Sequence, residues 1–237
     1  IKLGADVVIK VDGDNQMDLD YIDYLINPIV DNKADYTKGN RFRDLKALRS
    51  MPKIRLFGNS VLSFLVKMSS GYWNIMDPTN GYTAISKKTI NVIDFDSIDE
   101  RYFFESNMLI ELNIENKVVQ DIAIPAKYGD EESSLSIKKV IYQFPPKLFK
   151  GLMKRIFYRY FLYDFNMFSV YILLGIPMIT FGSLFGLYHW ILSVVNNINT
   201  ATGTIMFAIL PIILGVQFLL QAVQIDMSNI PNKGKAF

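Results

Sequence analysis

Along the first half of the chain, apolar positions come in short blocks that alternate between strand and helix spacing. Val7 to Val11 is a strand-length apolar run without alternation, the pattern of a strand covered on both faces. Leu19, Ile22, Leu25, Ile26 and Ile29 then recur at helical spacing behind Asp18, which stands where a helix cap belongs. Asp35 to Lys38 reads as a second short strand. Ile54 to Met68 reads as a buried helix through Leu56, Phe57, Val61, Leu62, Phe64 and Leu65. Tyr82 to Ile85 reads as a third strand. Tyr102 to Asn113 follows as a helix with Phe104, Met108, Leu109 and Leu112 inward, and Val118 to Ile124 alternates as a fourth strand. Strands interleaved with helices predict an α/β domain.

The pattern then changes. Pro145-Pro146 predicts a break. Beyond it, Leu148, Leu152, Ile156 and Tyr160 stack with Phe149, Met153, Phe157 and Phe161 along one face. Lys147, Lys150, Lys154, Arg155 and Arg159 take the other. A basic face opposite an aromatic and aliphatic one predicts a helix lying in a membrane interface. Phe168 to Leu192 and Gly203 to Ile225 are each long enough to cross a bilayer core of about 30 Å. An uncharged linker rich in Asn and Thr separates them. Gly175, Gly182 and Gly186 predict close helix contact in the first span.

Composition sharpens this division. The 237 residues are 50% hydrophobic with a net charge of only +2, yet no charged residue occurs from Phe165 to Ile225. Lysines and arginines precede the first span, and Lys233 and Lys235 follow the second, so the positive-inside rule puts both ends in the cytoplasm. The spans contain no ionisable pathway, which argues against a transporter. The weak overall charge argues against nucleic acid as a partner. There is no cysteine, which excludes disulfides, thiolate metal sites and a thiol nucleophile. The single histidine, His189, reads as a packing or interfacial residue, so a histidine dyad is excluded. The chain opens on Ile1 without a signal-peptide pattern, and we expect a fragment whose first strands lie upstream.

Candidate chemistry gathers where strands end. Val11-Asp12-Gly13-Asp14-Asn15-Gln16 follows the first strand, where α/β proteins bind ligands. Hard oxygen donors there suit Mg²⁺ or Mn²⁺ with a phosphate-bearing substrate; an ordinary acidic turn is the plainer alternative. A calcium loop fits poorly, because Met17 and Asp23 stand where glycine and a bidentate glutamate are needed. Arg41, Arg43, Arg49, Lys53 and Arg55 form either a solvated basic loop or an anion site, since the guanidinium fork matches phosphate oxygens. Asp77, in Asp77-Pro78-Thr79-Asn80-Gly81, is equally readable as a turn former or as a carboxylate facing the cleft of Asp12. Glu105 is either a helix-dipole residue or a site residue. The loop from Pro125 to Ser134 reads as mobile.

Taken in order, Val-Asp-Gly-Asp-Asn-Gln, Gly-Asn-Arg-Phe, Asp-Pro-Thr-Asn-Gly-Tyr, Phe-Phe-Glu-Ser, a basic interfacial helix and two spans resemble glycosyltransferase family 2. The match is to its membrane-anchored polyprenyl-phosphate type, which includes dolichyl-phosphate mannose synthases and bacterial undecaprenyl-phosphate glucosyltransferases. The resemblance covers nearly the whole chain from Gly4. It implies a Rossmann-like GT-A domain, truncated at its N-terminus, over residues 1–134. Amphipathic juxtamembrane helices over 135–165 and a two-helix anchor over 166–237 complete the expected organisation. It further implies a nucleotide-sugar donor and a polyprenyl-phosphate acceptor, dolichyl or undecaprenyl, at the cytoplasmic membrane face, with inverting transfer aided by Mg²⁺ or Mn²⁺. Asp12, Asp14 and Gln16 would contact the metal and the donor diphosphate. Arg41 and Arg55 would bind the acceptor phosphate with Arg43 helping, and Asp77 would lie beside the donor sugar. Here the loop reads Asp-Pro-Thr-Asn-Gly where better-known members have Ser-Gly or Thr-Gly, which leaves the role of Asp77 open. The resemblance also allows a homo-oligomer associated through the membrane helices. Two rivals stand beside this reading. One is a glycan-elongating transferase acting on a sugar hydroxyl, disfavoured by the missing Gln-x-x-Arg-Trp signature. The other is a non-catalytic membrane scaffold, disfavoured by the retained acids and arginines.

Overall fold

The computed structural model describes residues 4–13, 17–42, 53–100, 103–125 and 137–233, with the side chains of 53–56 and 137–141 outside that description. It divides into two compact units. One comprises residues 1–158 with 230–237, and the other runs from Arg159 to Asn229.

The first unit is built on a mixed sheet of β1 (Val7–Lys10), β2 (Tyr36–Asn40), β3 (Thr83–Ser86) and β4 (Val119–Ala123) in the order β1-β3-β2-β4. β3 is antiparallel to both β1 and β2, while β2 and β4 run parallel. The helix α1 (Ile22–Val30) follows a short 3-10 turn capped by Asp18, whose side chain accepts from the Asp20 amide. It buries Leu25 and Ile29 on one sheet face against Tyr82, Ala84 and Ile124. The other face carries Tyr36, Ile85 and Val119 into the main core. There α2 (Lys53–Ser70) contributes Val66, α3 (Phe104–Ile114) contributes Met108, Leu109 and Leu112, and α4 (Ile137–Ile156) contributes Phe144 and Leu148.

Three sequence expectations are corrected here. β1 is not covered on both faces: it pairs only with β3 among the described residues, and Val8 and Val11 are about 40% exposed. The core helices reach Tyr36, Ile85 and Val119 but leave Val8 outside the cluster. Among the described apolar side chains of α2, Leu62, Leu65 and Val66 pack on the core, while Phe57, Val61 and Phe64 are exposed. Finally, Pro145-Pro146 does not break the chain, since α4 continues through both prolines. Each proline removes an intrahelical hydrogen bond and costs up to about 3 kcal/mol in a helix interior. Phe144 and Leu148 bracket the pair and are buried in the core, with Phe144 edge-on to Phe103 at a centroid distance of 5.3 Å. Burial of such side chains is worth roughly 1.5–3 kcal/mol each, which offsets much of that cost.

The same helix departs from the expected basic face. Arg155 is 1% exposed and lies with Phe144, Leu148 and Gly151 on the inward stripe, while Phe149, Met153 and Phe157 point outward. Arg155 donates from Nε to the Ser69 carbonyl at 2.9 Å and from Nη2 to the Met68 carbonyl at 3.0 Å. These carbonyls close α2 and have no partner within the helix, so a buried cation at that end is stabilised by hydrogen bonds and by the helix dipole. Gly71 ends the helix in the left-handed region (φ +73), and a Cβ there would lie 2.5 Å from Arg155 Nη1.

The second unit is a pair of antiparallel helices, α5 (Met167–Asn196) and α6 (Thr202–Ser228), reversed at Asn197 with φ 51. Both are long and apolar enough to cross a membrane, and only 11% of the apolar window of each is buried in the molecule. Glycine sets their contact, as the sequence predicts. A Cβ at Gly182 would lie 2.6 Å from the Ala208 carbonyl, and one at Gly175 would lie 3.0 Å from the Gly215 carbonyl. Tyr160 donates to Asp226 at 2.7 Å and stacks on Phe168 at 3.9 Å, closing one end of the pair. His189 packs against the rings of Phe185 at 4.5 Å and Tyr188 at 5.3 Å.

Candidate functional site

Because β3 runs opposite to β1 and β2, the carboxyl ends of β1 and β2 meet the loop that leads into β3. That topology brings three sequence candidates to one edge: Asp12 after β1, Arg41 after β2 and Asp77 in the incoming loop. The approach is close. An ideal Cβ on Gly81 would lie 2.1 Å from Asp12 Oδ2, so any larger residue there would have to displace the carboxylate from its present position.

Across the sheet, Lys10, Thr83, Lys38 and Asp121 occupy one row of the register. Two residues earlier the same face presents Tyr36, Ile85 and Val119 to the core. Within one pleat repeat the face therefore turns from apolar to charged, at the end where the loops converge.

Asp77 is fully buried and held by Arg41, with Nε to Oδ2 at 2.8 Å and Nη2 to Oδ1 at 3.3 Å. Asn80 Nδ2 adds a longer contact to Oδ2 at 3.4 Å. The fork-on-carboxylate geometry fixes both groups, and Arg41 keeps 35% of its side chain exposed at the rim. Lys10 bridges two acids, reaching Glu105 Oε1 at 2.7 Å and Asp12 Oδ1 at 2.9 Å. Burial works to lower the Lys10 pKa, but the two carboxylates outweigh it and the net shift is upward. Lys38 is completely buried, donates to the Asn80 carbonyl, and has its pKa pulled down to about 8 by loss of solvent. Burial also pushes Asp121 up to about 6, with the charge of Asp77 adding to the effect.

The sequence candidates thus separate. Asp12, Arg41 and Asp77 come together, and Glu105 reaches the same edge through Lys10. Asp14 and Gln16 lie outside the described residues, as do Arg43 and Arg49, the side chains of Lys53 and Arg55, and nearly all of the loop from Pro125 to Ser134. The sequence reading missed Lys10, Lys38, Asn40, Asn80 and Asp121. A signal existed for two of them: Lys38 sits inside a strand, and Asp121 shares the parity of the inward Val119 in an alternating strand.

For a divalent ion, Asp12 supplies a hard oxygen donor at a position that already holds a cation, the Lys10 ammonium. Among the described residues no three His, Asp or Glu side chains form a metal cage.

The fold and this edge define a mixed α/β unit, carried on a chain with two membrane-length apolar helices, whose strand ends gather acidic and basic side chains. No protein-family model matches the chain. It is 33% identical over 109 residues to a UDP-N-acetylglucosamine–dolichyl-phosphate N-acetylglucosaminyltransferase of Methanococcus voltae, covering 46% of this chain and 43% of that protein. It is also 26% identical over 151 residues to an uncharacterized protein of Methanocaldococcus jannaschii, covering 64% of this chain and 61% of the relative. The chain spans about half the length of the curated relatives it matches.

Proposed function

We propose that this chain is part of a membrane glycosyltransferase that moves a sugar from a nucleotide-diphosphate donor to a polyprenyl phosphate at the cytoplasmic membrane face. The observation that carries the reading is the meeting of Asp12, Arg41 and Asp77 at one sheet edge, in a chain that also carries two membrane-length helices. The resemblance to a dolichyl-phosphate sugar transferase supports it. In the reaction, an anionic oxygen of the acceptor phosphate attacks the anomeric carbon and forms the new C–O bond. The bond to the donor diphosphate breaks, and inversion follows from attack opposite the leaving group. No proton has to be removed from the nucleophile, so a strong general base is not required. The difficulty is electrostatic, since two phosphate groups must approach one another.

The chain's own cations meet that need. Arg41, fixed by Asp77 and open at the rim, holds the acceptor phosphate, with Arg55 as its partner. Asp77, buried and held through both carboxylate oxygens, orients Arg41 towards the acceptor phosphate. Asp12, Asp14 and Gln16 would hold Mg²⁺ or Mn²⁺, and such an ion would supply charge neutralisation for the departing diphosphate. The outward stripe of Phe149, Met153 and Phe157 suits contact with the membrane interface.

The test uses the intact protein in liposomes containing a polyprenyl phosphate, offered a panel of labelled nucleotide sugars that includes UDP-N-acetylglucosamine. The expected result is label in the lipid extract, dependent on Mg²⁺ or Mn²⁺ and reduced at least 100-fold by Asp12→Asn or Arg41→Ala. Label appearing only on added glycans, or both variants transferring at the parent rate, overturns the reading.

A further inference from the structure

Asp77 is flanked by two restraints that its own side chain does not explain. Pro78 follows it, which disfavours helical backbone at Asp77. Met76 precedes it and is pinned at both backbone atoms: its amide donates to Asp121 Oδ2 at 2.7 Å, and its carbonyl accepts from Ser63 Oγ at 3.2 Å. The same Asp121 Oδ2 accepts from Asn40 Nδ2 at 2.9 Å. Asn40 is the residue before Arg41, and its Oδ1 in turn accepts from the Phe42 amide at 2.9 Å. One carboxylate oxygen on β4 therefore ties down the backbone just before Asp77 and the turn that carries Arg41.

This arrangement is costly. Asp121 Oδ1 is buried with no hydrogen-bond partner among the described residues. An unsatisfied buried oxygen costs about 1–3 kcal/mol. An aliphatic side chain beside Val119 would avoid that cost while keeping the strand, so β4 pairing alone does not account for an acid here.

We propose that Asp121 is the positioning residue that sets the register of Arg41 against Asp77, and through it the geometry of the transfer site. The proposal rests on the glycosyl-transfer reading for its kinetic consequence and on the hydrogen bonds alone for its structural one. Asp121 touches no reacting atom. It acts through Met76 and Asn40, and its burial at a pKa of about 6 accords with a group held in place for its acceptor oxygen.

Two variants separate this from a general structural role. Asp121→Asn keeps an acceptor oxygen for both donors, whereas Asp121→Ala leaves both donors without one. The intact protein in nanodiscs is compared by hydrogen–deuterium exchange over 76–82 and 40–42, and by steady-state transfer from nucleotide sugar to polyprenyl phosphate. We expect Asp121→Ala to speed exchange in both segments at least tenfold. It should lower kcat about 10- to 100-fold while KM for the nucleotide sugar changes less than threefold. Asp121→Asn should stay within threefold of the parent in both readouts. Should Asp121→Ala fail to fold, Asp121→Ser takes its place. Unchanged exchange and kcat in the alanine or serine variant overturns the proposal. So does an Asp121→Asn variant with parental exchange and a lost kcat, which would make the charge itself the active feature. If the parent protein transfers no sugar while Asp121→Ala still loosens both segments, the function falls and the positioning role stands.

Discussion

Asp77 and Arg41 show how much a residue's meaning depends on its surroundings. In sequence, Asp77 is a carboxylate before a proline and Arg41 is one of several cations in a basic run. In the structure they form a two-pronged pair in which the aspartate is fully buried. Asp121 is the residue-scale surprise, and its ionisation gives a measurable prediction. Its pKa in the fold is raised from 3.8 to about 6, so the folded state holds its proton more tightly than the unfolded chain. The stability this contributes is present below about pH 4 and lost as pH rises through about 6. Asparagine has no such dependence. The stability gained by Asp121→Asn over the parent should therefore be about 1–3 kcal/mol larger at pH 7.5 than at pH 4. Chemical unfolding in detergent at the two pH values checks this, and parallel curves would refute it.

At the scale of the element, α4 matters most, because its sequence contradicts its structure. Two consecutive prolines and a string of cations suggest a break followed by a surface helix. Tertiary packing overrides both, since Phe144 and Leu148 lock the helix to the core and Arg155 turns inward to cap α2. A helix that has lost two hydrogen bonds depends on its anchors more than an ordinary one. Phe144→Ala should cost about 3–5 kcal/mol in stability through the cavity it leaves. It should also raise amide exchange for several residues on either side of Pro145-Pro146. Conservative Phe144→Leu is expected to cost much less. A small, local effect of the alanine would mean the prolines are tolerated for some reason other than packing.

At the scale of the whole molecule, the chain joins a sheet unit to a helical hairpin, and each has its own source of stability. The sheet unit rests on two apolar clusters on opposite faces of one small sheet. The hairpin has no core of its own to speak of, and its helices meet through glycines that allow backbone contact. Gly182→Leu places side-chain atoms where the Ala208 carbonyl and Ile212 already stand, whereas Gly203 has nothing within 4 Å. Gly182→Leu should lower the unfolding free energy in detergent by about 1–3 kcal/mol or more. Gly203→Leu should change it little, and equal effects from the two would show that the glycine contacts do not hold the pair.

Several features were legible in sequence because they depend on local spacing and composition. The four strands, the helix behind Asp18, the two long apolar helices and their glycine contact all follow from period, length and the absence of charge. The cluster of Asp12, Arg41 and Asp77 was legible only as a set of candidates. Sequence spacing gives no hint that β3 runs opposite to β1 and β2 and so delivers Asp77 to their ends. The burial of Lys38, the double hydrogen bond to Asp121 Oδ2 and the inward turn of Arg155 were fixed by tertiary structure alone. Each joins groups dozens of residues apart, and each exists because desolvation leaves a buried polar atom no partner except what the fold brings to it.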